Sequence, residues 1–210
     1  MPRTKTPQER IQRRMSQWEA QAEALKARVD EGYSLPFGEW KMGEIVVRGY
    51  RPEDRDACRE LWAELTERHR ELYSDPDLGG EAPGLYFDHH LEAVGLARSW
   101  VADQDGEVVG LTGLLVHGQT GEVEPVTVSA SWRGQGIGGA LVARAAEEAR
   151  RLGLRHLSVR PVARNAEAIA FFHRAGFRAL GQIELVMELA ETAVIPWRPG
   201  PELHGLAFEW

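Results

Sequence analysis

Apolar residues recur near the start of the chain in alternating steps of four and three, at Ile11, Met15, Trp18, Ala22, Leu25 and Val29. This is the narrow seam of an amphipathic helix. Thr6-Pro7-Gln8-Glu9 supplies a capping box with proline at the first helical position, and Gly32 supplies a stop. A seam of about three heptads is too short to stand alone, so it packs either on its own domain or on a second subunit as a homodimer contact. Ser34 to Gly43, with Pro36, Phe37, Gly38 and Trp40, reads as a linker with aromatic anchors. Ile45–Arg48 reads as a first strand, and Arg51-Pro52-Glu53-Asp54 as a turn into a helix. Ala57, Cys58, Leu61, Trp62, Leu65 and Leu72 carry that helix to Tyr73. Residues 74–84, rich in Asp, Gly and Pro, form a loop, and 85–97 a second helix.

The period then changes from helical to alternating. Ser99–Ala102 and Glu107–Val116 flank Asp103-Gln104-Asp105-Gly106, where Asp-Gly signals a hairpin, and Glu122–Ser129 follows as a further strand. After a glycine-rich stretch comes a helix with Ile137, Leu141, Ala145, Ala149 and Leu152 inward, and Arg144, Glu147, Glu148 and Arg151 outward. Gly153 ends it. Leu154–Val159 reads as a strand, Asn165–Ala175 as a helix and Phe177–Leu189 as one or two strands. The last residues hold Pro196, Pro199 and Pro201 among Trp197, Phe208 and Trp210, and read as an extended strap. Three parts result: an N-terminal helix and linker over 1–43, an α/β (α+β) domain over 44–189, and a tail over 190–210.

Composition bounds the function. The net charge of −7 divides into about +2 over residues 1–43 and −9 beyond, so the acidic body is unsuited to a nucleic-acid backbone and suited to a cationic amine. No segment reaches the roughly 18 consecutive apolar residues of a membrane span, and Met-Pro-Arg-Thr-Lys has no signal-like apolar run, which makes the cytoplasm the expected location. The single cysteine, Cys58, sits on the apolar face of its helix and reads as core. No metal-ligand spacing is present, and no Ser/His/Asp or Cys/His arrangement points to a covalent intermediate.

The chemistry concentrates in Val126–Gly139, which passes from strand through small residues into helix. Gly134, Gly136, Gly138 and Gly139 leave the backbone open to close approach, and the first helical turn offers unpaired N–H groups. Both suit an anion, so a phosphate or pyrophosphate is expected, with Arg133 beside it as a permanent cation. Gly134, Gly136 and Gly139 also satisfy the dinucleotide spacing GxGxxG, and Arg160 suits a 2′-phosphate. An NADP-binding reading therefore stands as one alternative, although the loop follows hairpin-like strands and does not open a βαβ series.

Arg133-x-x-Gly136-x-Gly138, after a strand ending in Val128 and before Ala140-Leu141, resembles the acyl-CoA loop of the GNAT superfamily of N-acetyltransferases. Further on, Asn165-x-x-Ala168-Ile169-x-Phe171-Phe172-x-x-x-Gly176-Phe177 is similar to that family's second signature. The resemblance spans roughly Glu44 to Leu189. It implies a mixed, mostly antiparallel central sheet with helices on both faces, and acetyl-CoA as the acyl donor. Its implied donor site comprises the backbone of Val126 and Val128, the loop Arg133, Gly134, Gln135, Gly136, Ile137, Gly138 and Gly139, then Asn165 and Phe172. The strand Leu157–Arg160 is expected to splay away and leave room for the pantetheine arm.

The resemblance further implies that the two helices before the meander form the acceptor wall, bringing in His69 and Tyr73 beside Asp75, Asp77, Asp88, His89 and His90. It places a catalytic glutamate at Glu122, with Glu124 two residues along the same face as the rival and His117 as a lesser base. The expected activity is direct transfer of acetyl to a primary amine, small-molecule or peptide. Phe172 departs from the family, most of whose members carry a proton-donating tyrosine there. That departure motivates a second reading, a CoA-binding regulatory module with little or no turnover.

Overall fold

A computed structural model describes residues 40–42, 45–187, 189 and 196–210. The expected helix over residues 6–32 lies outside the described residues. The first described strand, β1 (Trp40–Met42), falls where the sequence reads as linker. Its three residues are too few to display a period, and it pairs antiparallel with β2 (Ile45–Gly49). A turn at Pro52–Asp54 leads into α1 (Arg55–Tyr73), and α2 (Tyr86–Val94) follows the expected loop. Then come β3 (Ser99–Gln104), β4 (Glu107–His117) and β5 (Thr120–Val128). The β3–β4 turn has φ of 51° at Asp105 and 92° at Gly106, the paired left-handed conformation that an Asp-Gly hairpin adopts. Next are α3 (Ile137–Arg151), β6 (His156–Ser158) and α4 (Ala166–Arg174).

The six strands lie in the order β1-β2-β3-β4-β5-β6, antiparallel throughout except for the parallel β5–β6 pair. Alternation along the strands feeds both faces. Val47, Trp100, Ala102, Val109, Leu114 and Val123 pack with Ile137, Leu141, Ala145 and Ala149 of α3. Against the opposite face α1 and α2 contribute Cys58, Leu61, Phe87, Leu91 and Val94, all buried. Burial pushes the pKa of the Cys58 thiol up, so the cysteine is a core residue held in its neutral form.

Three expectations need correction. Arg144 and Glu148, placed on the solvent side by helical periodicity, are buried. The Arg144 guanidinium stacks 4.8 Å over the Trp100 ring, and Glu148 also binds Arg151 at 2.6 Å. The residues from Phe177 to Met187 form no strand, and Leu180 and Met187 are 81% and 80% exposed. Alternation there is genuine, but a strand needs a ladder partner and none lies alongside among the described residues. The tail, finally, contains a hairpin, β7 (Pro199–Leu203) with β8 (Leu206–Glu209), turned by left-handed His204 and Gly205. Arg164 fastens the tail to the end of α1 by donating to the carbonyls of Leu72 and Pro196, at 3.1 and 2.9 Å.

Candidate active site

β5 positions the site because its two edges differ. Its β4 edge is paired along nearly the whole strand, whereas its β6 edge is paired only through Thr120, Glu122 and the residue between them. Val123 to Val128 therefore run on beside a gap. Gly121 is what lets the paired part close so tightly: a Cβ there would lie 2.9 Å from both the Leu114 and the Leu154 methyls. Of the segment Leu157–Arg160, expected to splay from β5, Leu157 and Ser158 are paired with Gly121 and Glu122, and only Val159 and Arg160 lie beyond the ladder.

A bulge interrupts β5 in the middle of this stretch. Thr112 faces Val126 but Leu114 faces Val123, so Glu124 and Pro125 together oppose Gly113. The extra residue resets the alternation. Val123, Val126 and Val128 all pack against the α3 core, and Glu122 and Glu124 point to the other face. Gly113 makes the bulge possible, since a Cβ there would come within 2.7 Å of the Glu124 carbonyl and 3.1 Å of His90 Nε2. Nothing in the sequence pattern singled out this glycine.

The two carboxylates have different surroundings. Glu122 lies at the floor of the gap, its side chain 5% exposed, and its Oε2 is 3.0 Å from Nη2 of Arg160. Glu124 reaches solvent and has no such cation among the described residues. Desolvation by the surrounding protein, and then the negative charge of Glu122, raise its pKa above the ordinary carboxylate value, with Arg160 opposing.

The glycine loop follows through a turn at Ala130–Trp132. Gly134 and Gly136 have φ of 77° and 85°, and Gly136 begins α3 with no side-chain cap, so the loop and the first helical N–H groups are open to a ligand. Gln135 and Gly139 are exposed, and a Cβ on Gly139 would meet nothing within 4 Å. Gly138 serves a packing purpose as well: a Cβ there would lie 3.2 Å from the Phe171 ring, so its bareness lets α4 approach α3. Ile137 is buried in the core and offers the loop only its backbone. Arg133 turns back on the protein. Its Nε donates to the Val128 carbonyl at 3.0 Å and its Nη2 to Glu64 at 2.7 Å, and Glu64 also accepts from Ala130 N–H. The expected phosphate cation is thus paired with a helix residue 69 positions away, a partner no local pattern reveals.

Asn165 caps α4 by accepting from Ala168 N–H at 3.0 Å. Phe172 packs edge-on between Phe171 and Phe177, at ring separations of 5.0 and 5.8 Å. On the acceptor wall, Tyr73 lies 4.9 Å beneath the Arg164 guanidinium, and burial lowers the pKa of His69. Asp88 is occupied by Arg55 and Arg59. His90 stacks on Trp62 at 5.0 Å, and burial drives its pKa to about 4, keeping the ring neutral. His117 is not brought to the loop: it sits opposite Thr120 at the far hairpin, whereas the loop follows the pairing of Gly110 with Val128. A separate open cleft of about 690 Å³, lined by Arg48, Asp54, Glu60, Glu64, Asp103 and Ser129 among others, touches the loop's base but neither candidate glutamate. Among the described residues no group of three His, Cys, Asp or Glu is placed to hold a metal, and no helix is long and apolar enough to cross a membrane.

The profile of the acetyltransferase (GNAT) family matches residues 56–177, more than half of the chain. Among solved structures, the fold is similar to an acetyltransferase of Trypanosoma brucei, at 25% identity and TM-score 0.50, covering 68% of this chain and 99% of that one. It is also similar to glucosamine-6-phosphate N-acetyltransferase from Arabidopsis thaliana, at 17% identity and TM-score 0.52, covering 70% and 100%. A third similar structure is AAC(6')-Iy in complex with a bisubstrate analog, CoA-S-monomethyl-acetylneamine, at 15% identity and TM-score 0.52, again covering 70% and 100%. Comparison with curated protein sequences finds no match.

Proposed function

The chain belongs to the GNAT acetyltransferase family, and on that footing we propose that it moves acetyl from acetyl-CoA directly to a primary amine. The observation that carries this reading is that Val123–Val128 have no strand partner on the β6 side, Arg133 holding the Val128 carbonyl, and lead through the turn at Ala130–Trp132 to an uncapped helix start. The pantetheine arm adds to that edge as a further strand, through main-chain groups. The pyrophosphate sits on the N–H groups of Gly134 to Gly139, where close approach and the helix dipole favour an anion. Val126 and Val128 supply backbone alone, their side chains being committed to the core.

The acceptor must lose a proton to attack. Holding a lysine-like amine neutral at pH 7 costs about 4.6 kcal/mol, from a pKa of about 10.4. Glu124 is the base, because it reaches solvent, has no bound cation among the described residues and carries a raised pKa, which brings it closer to the amine's own. Glu122, fixed on Arg160, remains a stationary anion that attracts the ammonium. Glu124 takes the ammonium's first proton, directly or through a water, and passes it to solvent. The neutral nitrogen then forms its bond to the acetyl carbon and gives its second proton to Glu124, and the carbon–sulfur bond breaks with its electron pair leaving on sulfur as the thiolate. Phe172 has no proton for the departing thiolate, but a thiol of pKa near 8.5 leaves without one. The work takes place in the cytoplasm.

The packing of Phe172 also favours the second reading, a CoA-binding module without turnover. A thiol-release assay with acetyl-CoA across a panel of amines separates the two. Release that depends on a particular amine supports transfer. Thermal stabilisation by acetyl-CoA with no release above the buffer rate supports the module.

A further inference from the structure

Of the arginines Arg133, Arg160 and Arg164, two are committed to the fold. Arg133 is held by Glu64 and the Val128 carbonyl, and Arg164 by the carbonyls of Leu72 and Pro196 between the Tyr73 and Trp197 rings. Arg160 differs. It follows β6 by two residues, where the chain has left the sheet, and its side chain is 70% exposed while its partner Glu122 is 5% exposed. The anion is fixed in the floor, and the cation hangs over the mouth on a long stem.

That asymmetry bears on what enters. A plain ammonium drawn to Glu122 competes with Arg160 and leaves it without a partner. A molecule carrying both an amine and a carboxylate exchanges one ion pair for two: its amine goes to the glutamates and its carboxylate to the displaced guanidinium. The planar fork of arginine suits a carboxylate through two parallel N–H bonds. Glu122 and Glu124 on one face, with Arg160 at their edge, thus form a site of both signs within the reach of one small molecule.

We infer that the acceptor is a free amino acid, with its carboxylate beside the amine to be acetylated, and that Arg160 is the residue that reads the carboxylate. This rests on the transferase reading above. The test is thiol release at saturating acetyl-CoA with free amino acids, the same compounds with the carboxyl converted to an amide, and the amines lacking it. Wild type, Arg160→Gln and Arg160→Lys are compared, each with its thermal stabilisation by acetyl-CoA. In wild type, kcat/KM for an amino acid should exceed that for its amide by about tenfold or more, the value of a hydrogen bond to a charged group. Arg160→Gln should raise KM for the amino acid by a similar factor, collapse the acid-to-amide ratio towards one and keep the acetyl-CoA stabilisation. Arg160→Lys should restore part of the ratio.

Equal use of acids and amides by wild type would overturn the inference while leaving transfer intact. So would an Arg160→Gln effect confined to the KM for acetyl-CoA, or an equal fall in kcat for every acceptor with a shifted pH profile. The last result would make Arg160 only a support for Glu122. Absence of release from wild type with any acceptor would overturn the transferase reading itself.

Discussion

Replacing Gly113 by alanine tests whether the β5 bulge is held by lack of space. The Cβ would stand 2.7 Å from the Glu124 carbonyl, 3.1 Å from His90 Nε2 and 3.2 Å from a Val94 methyl. The first of these is backbone inside a paired strand and cannot swing aside. Overpacking of a core commonly costs about 1–3 kcal/mol. Alanine recovers about 0.4–1 kcal/mol by restricting the unfolded chain, since Gly113 does not have a left-handed φ. A clash with backbone puts the cost in the upper half of that range, so the net loss is about 1–2.6 kcal/mol, or about 2–10 °C in melting temperature for a domain of this size. Because the displaced atom belongs to Glu124, thiol release should also fall at temperatures where the variant is folded. Differential scanning calorimetry paired with the release assay reads both. A Gly113→Ala protein melting within about 1 °C of wild type, with unchanged turnover, would refute the argument that this glycine makes room for the bulge.

Gly139→Ala should do the reverse. With nothing within 4 Å of the new Cβ, the unliganded protein should gain about 0.5–1 kcal/mol, while the stabilisation given by acetyl-CoA shrinks, both measured by thermal shift. Glu124→Gln should lower kcat by about 10²- to 10⁴-fold with acetyl-CoA binding retained. The base works deprotonated, so the wild-type rate should rise with pH through a value above the ordinary carboxylate pKa, and the variant should lose that limb. His90 has a folded pKa of about 4 against an ordinary 6.5. The unfolded chain therefore binds the extra proton between those values, and stability complete above pH 6.5 is lost as pH falls towards 4. The difference amounts to about 3 kcal/mol. Melting temperature against pH should drop less steeply over that window in His90→Gln; an unchanged slope would remove His90 as the cause.

The donor side of the site is the part most legible in the sequence. Glycines preceded by alternating β-branched residues and followed by helical periodicity can hardly be anything but strand, loop and helix, and these are local facts. The roles within the loop were less legible. Gly138 reads in the sequence only as a loop glycine, and the structure adds that it is the seat of Phe171, because the identity of a helix's neighbour is not written in its own residues. Arg133 with Glu64, and Arg160 with Glu122, join residues from different elements, and only folding makes them pairs. Arg144 shows the opposite failure. Period alone put a charge outside, but Trp100 supplied an aromatic face and Glu148 an anion, which together make an inward arginine tolerable. At the C-terminus the prolines suggested an extended strap, whereas His204-Gly205 provided a hairpin turn, which tolerates proline on its edges.

The bulge makes β5 two rulers laid end to end, out of phase by one mark. Up to Glu124 the count places both carboxylates on the face away from α3, and from Val126 a restarted count returns valines to the core and hands the chain to the glycine loop. Because the phase slip absorbs the mismatch, the chemistry of the first half and the donor grip of the second are separately addressable. On the proposed reading, altering which amine is accepted is then a matter of rewriting Arg160, with Glu124 kept as the base and the segment from Val126 onward left as it stands.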